Sequence, residues 1–330
     1  MFRMTASPDI LTEALRAAGE PTRFRILALL RRGELAVGEL VQVLEQSQPR
    51  LSHHLKTLAM AGLVDRLPEG SWVFYRAARE GWAARLLDGL FDEAICDTTT
   101  LSADVAKLEH VRENRAKSAA SYFGEIAEDW DRLRSMHFPN EALEGALLDL
   151  AGRGPYGRVI DLGTGTGRML TLFAPFAQEL EGLDLSHQML TVARANLDAA
   201  GVEHASVRQG DVSETPFPEA HADLVIVHQV LHYLDAPDRV IAEAARILRP
   251  GGQLLVVDFA PHTLDFLRQD FGHRRLGIRS EDMQRWTEAA NLEAATPLAF
   301  DPPETLEHGL HVNIWSAKRP QELQSQGVAA

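Results

Sequence analysis

The sequence predicts an α/β protein of two domains, in which an α+β domain precedes a larger domain built on a mainly parallel sheet. Its 330 residues exceed one average domain and suit two. The first part of the chain holds short helical patterns followed by a hairpin pattern. Further along, patterns of buried strands alternate with helical ones, the order expected of strands joined by crossover helices.

Composition places the chain among ordinary globular proteins, with 45% hydrophobic and 24% charged residues. The single cysteine, Cys96, excludes an internal disulfide and a multi-thiolate metal site, which fits a reducing cytoplasm. Residues 2–15 include Asp9 and Glu13 and lack the long apolar core of a signal peptide. No apolar run approaches the ~18 residues of a membrane span. We therefore expect a cytoplasmic protein without membrane contact.

The net charge of −14 is unevenly distributed along the chain. Residues 1–80 hold 11 Lys and Arg against 9 Asp and Glu, a net charge of +2, whereas the remainder carries −16. Because an acidic surface repels nucleic acid, any DNA contact is expected from the first segment.

The amino-terminal segment predicts four helices and a hairpin. Glycine, proline and polar turns separate the four helices, which are expected over 10–18, 21–30, 37–44 and 49–60. Ser47 is placed to cap the fourth helix. The hairpin is expected over 63–77, with its tip at 68–71.

Helices followed by a hairpin make a winged helix-turn-helix. The segments that resemble the ArsR/SmtB repressors are EPTRFRIL at 20–27, SQPRLSHHLK at 47–56 and AGLV at 61–64. The resemblance implies a DNA-binding and dimerisation domain over 1–95. Metal-sensing members of that family use cysteines where this chain has Ala36 and Gly38, so we expect no metal.

The fourth helix is predicted to carry the DNA contacts. Leu51, Leu55 and Leu58 lie on one stripe and are expected to face the core. The opposite face would then read bases and bind phosphates. The predicted DNA contacts are Gln48, Pro49, Arg50, Ser52, His53 and Lys56, with Arg66 on the hairpin. A solvated polar face is the alternative, and His54 is expected to pack inside.

A helical connector is predicted over 96–117, after an apolar stripe on the preceding helix. The stripe consists of Leu86, Leu87, Leu90 and Phe91. In the ArsR/SmtB family the terminal helices make the dimer, so the resemblance implies a homodimer through this stripe. A symmetric dimer also suits a palindromic operator in double-stranded DNA. The alternative is that the stripe packs on the chain's own second domain.

The second domain is organised around the segment VIDLGTGTG at 159–167. Two β-branched residues lead to Asp161, near the carboxyl end of a predicted strand. Gly163, Gly165 and Gly167 allow the backbone to turn and to approach a ligand closely. Ligands of open α/β sheets bind at such strand ends. A pyrophosphate needs G-x-G-x-x-G, whereas this motif and its preceding acid suit a ligand with a cationic ammonium group.

Two further acids follow predicted strands in the same way. Asp184 lies 23 residues after Asp161, close to the ~20 residues expected for an acid that holds a ribose. Asp211 follows a strand predicted over 205–209, and a fourth strand is predicted over 223–229. Helix capping or turn formation is the alternative role of both acids.

These motifs, with the turn LRPGG at 248–252, resemble the class I S-adenosylmethionine-dependent methyltransferases. The resemblance implies a Rossmann-like domain over 118–320, with a disordered tail over 321–330. It also implies S-adenosylmethionine or S-adenosylhomocysteine as cofactor. A helical lead-in over 118–134 and the segment 274–277 with Trp286 are expected to cover the ligand pocket.

The resemblance assigns the parts of the cofactor to particular residues. The glycine loop would hold the methionyl group, Asp184 the ribose hydroxyls and Asp211 the adenine amine. The complete set of implied cofactor contacts is Asp161, Gly163, Thr164, Gly165, Gly167, Asp184, Leu185, Met189, Asp211, Val212 and His228.

Methyl transfer has no obligatory catalytic side chain, because the sulfonium of the cofactor is already a good leaving group. His228 and His232 follow the fourth predicted strand and are candidate general bases, with ligand packing or capping as the alternative.

Two functions of different class remain. In the first, the chain is a transcriptional regulator that acts as a repressor. Its second domain senses S-adenosylhomocysteine or S-adenosylmethionine. This architecture resembles proposed repressors of methionine-cycle genes that respond to S-adenosylhomocysteine. In the second, the chain is an active methyltransferase on a small-molecule acceptor, with a DNA-binding autoregulatory domain.

Overall fold

The structure is a computed structural model that describes residues 5–69, 72–92, 101–125, 140–301 and 309–321. The chain forms two compact units, Met1–Ala120 and Ser121–Ala330. Each unit has its own hydrophobic core.

The first unit consists of helices around a small antiparallel sheet. Its helices are α1 (Pro8–Ala18), α2 (Pro21–Leu30), α3 (Val37–Leu44), α4 (Gln48–Met60), α5 (Gly81–Leu90) and α6 (Ser102–Glu125), the last of which ends five residues past the boundary at Ala120. Its strands are β1 (Leu35–Ala36), β2 (Val64–Glu69) and β3 (Trp72–Ala77), in the order β1-β3-β2. The four predicted helices and the hairpin are present, so the winged helix-turn-helix prediction is confirmed.

Local capping explains where these helices begin. The Ser7 hydroxyl accepts a hydrogen bond from Ile10 N at 3.4 Å, and the Glu20 carboxylate accepts one from Arg23 N at 2.9 Å. Ser47 occupies the N-cap position of α4 but makes no side-chain capping bond, and the helix begins at Gln48. The predicted cap is therefore correct in position and wrong in its hydrogen bond.

Helix α6 belongs to the first unit over most of its length. Leu108 and Val111 lie in the core of that unit. Two salt bridges hold the helix in place: Arg25 binds both oxygens of Asp104 at 2.7 and 2.6 Å, and Arg115 binds Glu39 at 2.7 Å. The first unit therefore extends past residue 95, the boundary that the sequence predicts. The described part of the expected connector packs on the winged helix because α6 buries an apolar face there.

The second unit is a mainly parallel sheet with helices between its strands. The strands are β4 (Tyr156–Leu162), β5 (Ala177–Asp184), β6 (Ala205–Gln209), β7 (Ala222–His228), β8 (Leu248–Phe259), β9 (Glu293–Ala294), β10 (Leu298–Phe300) and β11 (Val312–Lys318). The helices are α7 (Asn140–Ala151), α8 (Arg168–Phe173), α9 (His187–Ala199), α10 (Pro237–Ile247), α11 (Phe266–Phe271) and α12 (Ser280–Ala289).

The strand order is β10-β11-β8-β7-β4-β5-β6, with β9 paired to β11. Neighbours from β6 to β8 are parallel, whereas β11 runs antiparallel to β8, β9 and β10. The chain proceeds from β4 to β5 on one side and later returns to β7 on the other. This reversal opens a crevice at the carboxyl ends of the central strands, where ligands of such sheets bind.

The predicted strands are present with small changes at their ends. The fourth predicted strand ends at His228, one residue early, and Gln229 has a φ of 56°. Its N–H still donates to Val257 O of β8 at 2.7 Å. The expected turn at 248–252 lies inside β8, where the pairing with β7 shifts between Ala222 and Leu224. Much of the expected helical lead-in over 118–134 and of the tail over 321–330 lies outside the described residues.

Candidate cofactor site and recognition helix

The glycine loop leaves β4 and folds onto the end of β5. Gly163 N and Thr164 N donate to the main-chain oxygen of Leu183 at 2.7 and 2.9 Å. Gly163, Gly165 and Gly167 have φ values of 79°, 51° and 78°. A Cβ on Gly163 would lie 2.2 Å from Val230, whereas a Cβ on Gly165 would meet no atom of the described residues within 4 Å. The backbone of Gly165 therefore borders open space, where a ligand can approach it closely.

This difference predicts that two alanine substitutions have their main effects on different properties, the stability of the fold and the binding of the ligand. Gly163→Ala is expected to lower the free energy of unfolding by about 2–4 kcal/mol, because it adds a clash to a left-handed backbone. Gly165→Ala adds only the backbone strain of about 1–2 kcal/mol, yet narrows the ligand space. Urea unfolding measures the first effect and titration calorimetry with S-adenosylhomocysteine the second. Equal stability losses in the two variants would contradict this assignment.

Asp161 carries the strongest sign of a cationic ligand. Its side chain is 1% exposed, and Oδ2 accepts a hydrogen bond from Thr164 Oγ1 at 2.6 Å. Its Oδ1 is buried and has no hydrogen-bond donor among the described residues. Burial, with a contribution from Asp184, raises the pKa of Asp161 to about 7. An ammonium group on a ligand would supply the missing donor and favour the charged carboxylate, so the methionyl group of the cofactor fits here.

Asp184 holds the loops that follow β4 and β5. Its Oδ2 accepts from Gly165 N and its Oδ1 from Ser186 N, both at 2.8 Å. Ser186 in turn caps α9 by accepting from Met189 N at 3.3 Å. The turn-forming role that the sequence left open is thus present. Each carboxylate oxygen keeps a further lone pair, so the ribose contact stays a prediction. Leu185, beside it, is 71% exposed.

Asp211 follows β6 and is exposed. Its Oδ1 accepts from Ser213 N at 2.8 Å and from Ser213 Oγ at 2.7 Å, and these bonds lower the pKa of Asp211. Val212, beside it, is buried. The adenine contact of Asp211 also stays a prediction.

His228 ends β7 and is half-buried, whereas His232 is 2% exposed in the following turn. His232 Nδ1 lies 2.7 Å from Asp258 Oδ1, and its main-chain N–H donates to Asp258 Oδ2 at 3.2 Å. Its ring centroid lies 4.2 Å from that of His273. Asp258 was not predicted as a site residue, although an acid near the carboxyl end of β8 is the same signal that identified Asp161.

Helix α4, the predicted recognition helix, is amphipathic as expected. Leu51, Leu55 and Leu58 are fully buried. The predicted DNA contacts are all exposed: Gln48, Pro49, Arg50, Ser52, His53, Lys56 and, on β2, Arg66. His54 packs inside at 8% exposure, with Nδ1 3.6 Å from the Glu20 carboxylate, and burial lowers the pKa of His54. The contacts with DNA stay predictions.

The apolar stripe of α5 faces its own domain. Leu87 is 1% exposed within the core of the first unit, and Phe91 packs on the same core with its ring 4.6 Å from that of Phe24. Leu86 and Leu90 are half-buried against it. Leu87 is therefore wrong as a dimer contact, because the winged helix itself buries it.

In the part of the chain that the structure describes, no group of three or more His, Cys, Asp or Glu side chains could hold a metal ion. No helix among the described residues is long and apolar enough to cross a membrane.

Two family models match the chain, one in each unit. Residues 20–66 match the model of bacterial regulatory proteins of the arsR family. Residues 160–256 match the model of a methyltransferase domain. The chain joins an ArsR-type winged helix to a class I methyltransferase domain. Class I methyltransferase domains bind S-adenosylmethionine or its product S-adenosylhomocysteine, so the match supports the cofactor that the sequence predicts.

Curated relatives align with the methyltransferase part. An uncharacterized methyltransferase, YcgJ, of Bacillus subtilis is 33% identical over 105 residues, which are 32% of this chain and 42% of that protein. A phosphatidylethanolamine N-methyltransferase of Cereibacter sphaeroides is 36% identical over 103 residues, 31% of this chain and 50% of that protein. The ubiquinone/menaquinone biosynthesis C-methyltransferase UbiE of Burkholderia mallei is 31% identical over 46% of this chain and 65% of that protein. The chain spans about half the length of these relatives.

Among solved structures, a methyltransferase of Bacillus halodurans matches with 22% identity and a TM-score of 0.48, over 54% of this chain and 99% of that chain. The YcgJ protein of Bacillus subtilis matches with 20% identity and a TM-score of 0.46, over 54% and 98%.

Proposed function

We propose that the chain is a cytoplasmic transcriptional repressor whose methyltransferase domain binds S-adenosylhomocysteine or S-adenosylmethionine as an effector. The observation that carries the proposal is the presence, on one chain, of an exposed basic helix α4 and of a buried Asp161 oxygen that has no donor among the residues that the structure describes. The first is suited to a DNA operator and the second to the methionyl ammonium group.

In this proposal each predicted residue keeps its role. Asp161 binds the ammonium group, and the backbone from Gly163 to Gly167 surrounds the methionyl chain. Asp184 holds the ribose and Asp211 the adenine. The remaining residues that line the cofactor site are Leu185, Met189, Val212 and His228. Bound effector then changes the DNA affinity because it binds the DNA-free and DNA-bound forms differently.

The repressor is proposed to act as a homodimer, since one recognition helix per chain suits a palindromic operator. Helix α1 offers an apolar face for this contact: Ile10 is 40%, Leu11 39% and Leu15 45% exposed. We propose this face of α1 as the dimer contact in place of Leu87 of α5. Leu86, Leu90 and Phe91 are partly exposed beside the core and remain candidates for the same contact.

A charge on this face tests the dimer. Leu15→Asp is expected to convert the dimer to a monomer, because pairing would bury an uncompensated carboxylate. Sedimentation equilibrium gives the mass. Met60→Asp is the matched control, since Met60 is 80% exposed and lies outside α1, and it should stay dimeric. A Leu15→Asp variant with the mass of the parent protein would contradict the α1 interface.

Linkage supplies the test of the regulatory proposal from the ligand side. If the effector changes operator affinity by a given factor, the operator must change effector affinity by the same factor, typically about 5–150-fold. Titration calorimetry of S-adenosylhomocysteine and of S-adenosylmethionine into free protein, and into protein saturated with operator, measures that factor. Equal affinities for both ligands in the two states would rule out an effector role.

An active methyltransferase is the second candidate, and the His232–Asp258 pair favours it. A buried histidine held by a carboxylate at strand ends is an arrangement that can accept a proton from a small-molecule acceptor. His228, at the end of β7, is the other candidate base. Turnover of labelled S-adenosylmethionine by the parent protein, abolished in His232→Gln, would support this function.

A further inference from the structure

A cavity of about 560 Å³ in the second unit contains an unusual concentration of arginine. Its described lining includes Arg268, Arg274, Arg275 and Arg279 together with His262, and two acids, Asp235 and Asp282. The chain beyond residue 80 carries a net charge of −16, so this positive lining opposes the general charge of the domain. The volume falls within the roughly 300–1,000 Å³ range of small-molecule sites.

The wall of the cavity is tied to the ends of the sheet. Arg274 N and Arg275 N donate to the main-chain oxygen of His232 at 2.9 and 3.0 Å. Ile278 N donates to Phe259 O, at the end of β8, at 2.8 Å. Gly277 has a φ of 87°, and a Cβ there would lie 2.1 Å from Ala260 O. The arginine segment is thus held in place by main-chain bonds and a close backbone approach.

The arginines retain the capacity to bind an anion. Arg275 donates from Nε to Leu234 O at 3.3 Å and from Nη2 to Asp235 O at 2.8 Å, and both acceptors are uncharged main-chain oxygens. Arg274 lies 3.9 Å from the Asp235 carboxylate, a long and exposed ion pair that contributes little. Only Arg279 has a close carboxylate in the lining, Asp282 at 2.9 Å. Guanidinium groups bind phosphate and carboxylate through paired hydrogen bonds.

We propose that this cavity binds a small molecule that carries a phosphate or carboxylate group, as a second ligand beside the cofactor. The cavity lies at the carboxyl ends of β7 and β8 and adjoins the turn that contains His232. The proposed cofactor residues follow β4, β5 and β6, apart from His228 at the end of β7, so the two ligands would occupy neighbouring strand ends. The proposal goes beyond the effector role and does not depend on it.

The test uses the full chain and two probes, inorganic pyrophosphate and citrate, titrated separately by calorimetry with and without saturating S-adenosylhomocysteine. At least one probe is expected to bind saturably in both conditions. A double variant, Arg274→Gln with Arg275→Gln, should weaken that binding by about tenfold or more, since it removes two charge-assisted donors. The probe that binds more tightly identifies the chemical class.

Arg153→Gln is the matched control, because Arg153 is an exposed arginine that precedes β4 at the opposite, amino edge of the sheet. It should leave probe binding unchanged. Arg274→Gln alone, at an exposed side chain, keeps the test valid if the double variant misfolds. The proposal would be overturned if neither probe binds, or if the Arg274 variants bind the probe as tightly as the parent protein. It would also be overturned if S-adenosylhomocysteine displaces the probe.

Discussion

Asp161→Asn is expected to weaken the binding of S-adenosylhomocysteine and S-adenosylmethionine by a factor of about 30 to several thousand. Removal of one partner from a buried charge pair costs about 2–5 kcal/mol, and each 1.4 kcal/mol is about tenfold in affinity. The amide keeps the size of the side chain and an acceptor for the Thr164 hydroxyl. Titration calorimetry at pH 8 measures the effect.

The same variant is expected to be more stable than the parent when no ligand is bound. Burial raises the pKa of Asp161 from 3.8 to about 7, so the folded state favours the protonated form. The stronger proton binding of the folded state contributes its full stabilisation at pH values below the pKa of Asp161 in the unfolded chain. This contribution is lost as the pH rises through about 7. The shift of about three units corresponds to about 4 kcal/mol. Urea unfolding should therefore give Asp161→Asn a larger free energy of unfolding than the parent protein at pH 8. Near pH 4 the two free energies should be equal.

A matched control separates the role of Asp161 from a general loss of charge. Asp223 lies at the amino end of β7, where it accepts from Arg158 N at 2.8 Å and pairs with Arg249 at 2.7 Å. Asp223→Asn should leave ligand affinity unchanged. If Asp161→Asn binds both ligands as tightly as the parent protein, the ammonium assignment is wrong.

Arg50→Ala is expected to weaken operator binding by about tenfold or more and to flatten its salt dependence. A base-specific hydrogen-bonded pair contributes about 1–3 kcal/mol, and the substitution removes it from both subunits of a dimer. If Arg50 instead binds phosphate, the slope of log K against log salt becomes shallower by about 0.9 for each phosphate that is no longer neutralised. Operator affinity measured at several salt concentrations distinguishes the two roles.

Lys107→Ala is the control for this substitution. Lys107 also lies in the first unit, on α6, and pairs with Glu45 at 2.8 Å rather than with a predicted DNA contact. It should change neither the affinity nor the salt slope. An Arg50→Ala protein with the affinity and salt slope of its parent would show that α4 is not the recognition helix.

Features with a local physical cause could be predicted from the sequence. The leucine spacing on α4 determines which face is buried, and Leu51 and Leu55 are fully buried. The backbone after β4 has positive φ values that favour glycine, and the sequence has glycine at these positions. The acid before them, Asp161, lies near the end of the strand as expected. The strand patterns also predicted the mainly parallel sheet, because strands buried on both faces are continuously apolar.

Features that depend on distant pairs could not be predicted in this way. Arg25 and Asp104 are 79 residues apart, and their salt bridge joins α6 to the winged helix. His232 and Asp258 are 26 residues apart, and neither residue alone indicates the other. Leu87 belongs to an apolar stripe that looks the same whether a core or a partner covers it. Tertiary packing decided between those two outcomes.

The measurement that tests the central claim most directly is fluorescence anisotropy of the full chain on its own upstream DNA. S-adenosylmethionine and S-adenosylhomocysteine are titrated separately. The control is Asp161→Asn, which is expected to bind both ligands weakly. We expect one ligand to change DNA affinity by about 5–150-fold and more than the other does, with no response in the variant. DNA affinity that stays constant while both ligands bind would contradict the account and favour a methyl acceptor.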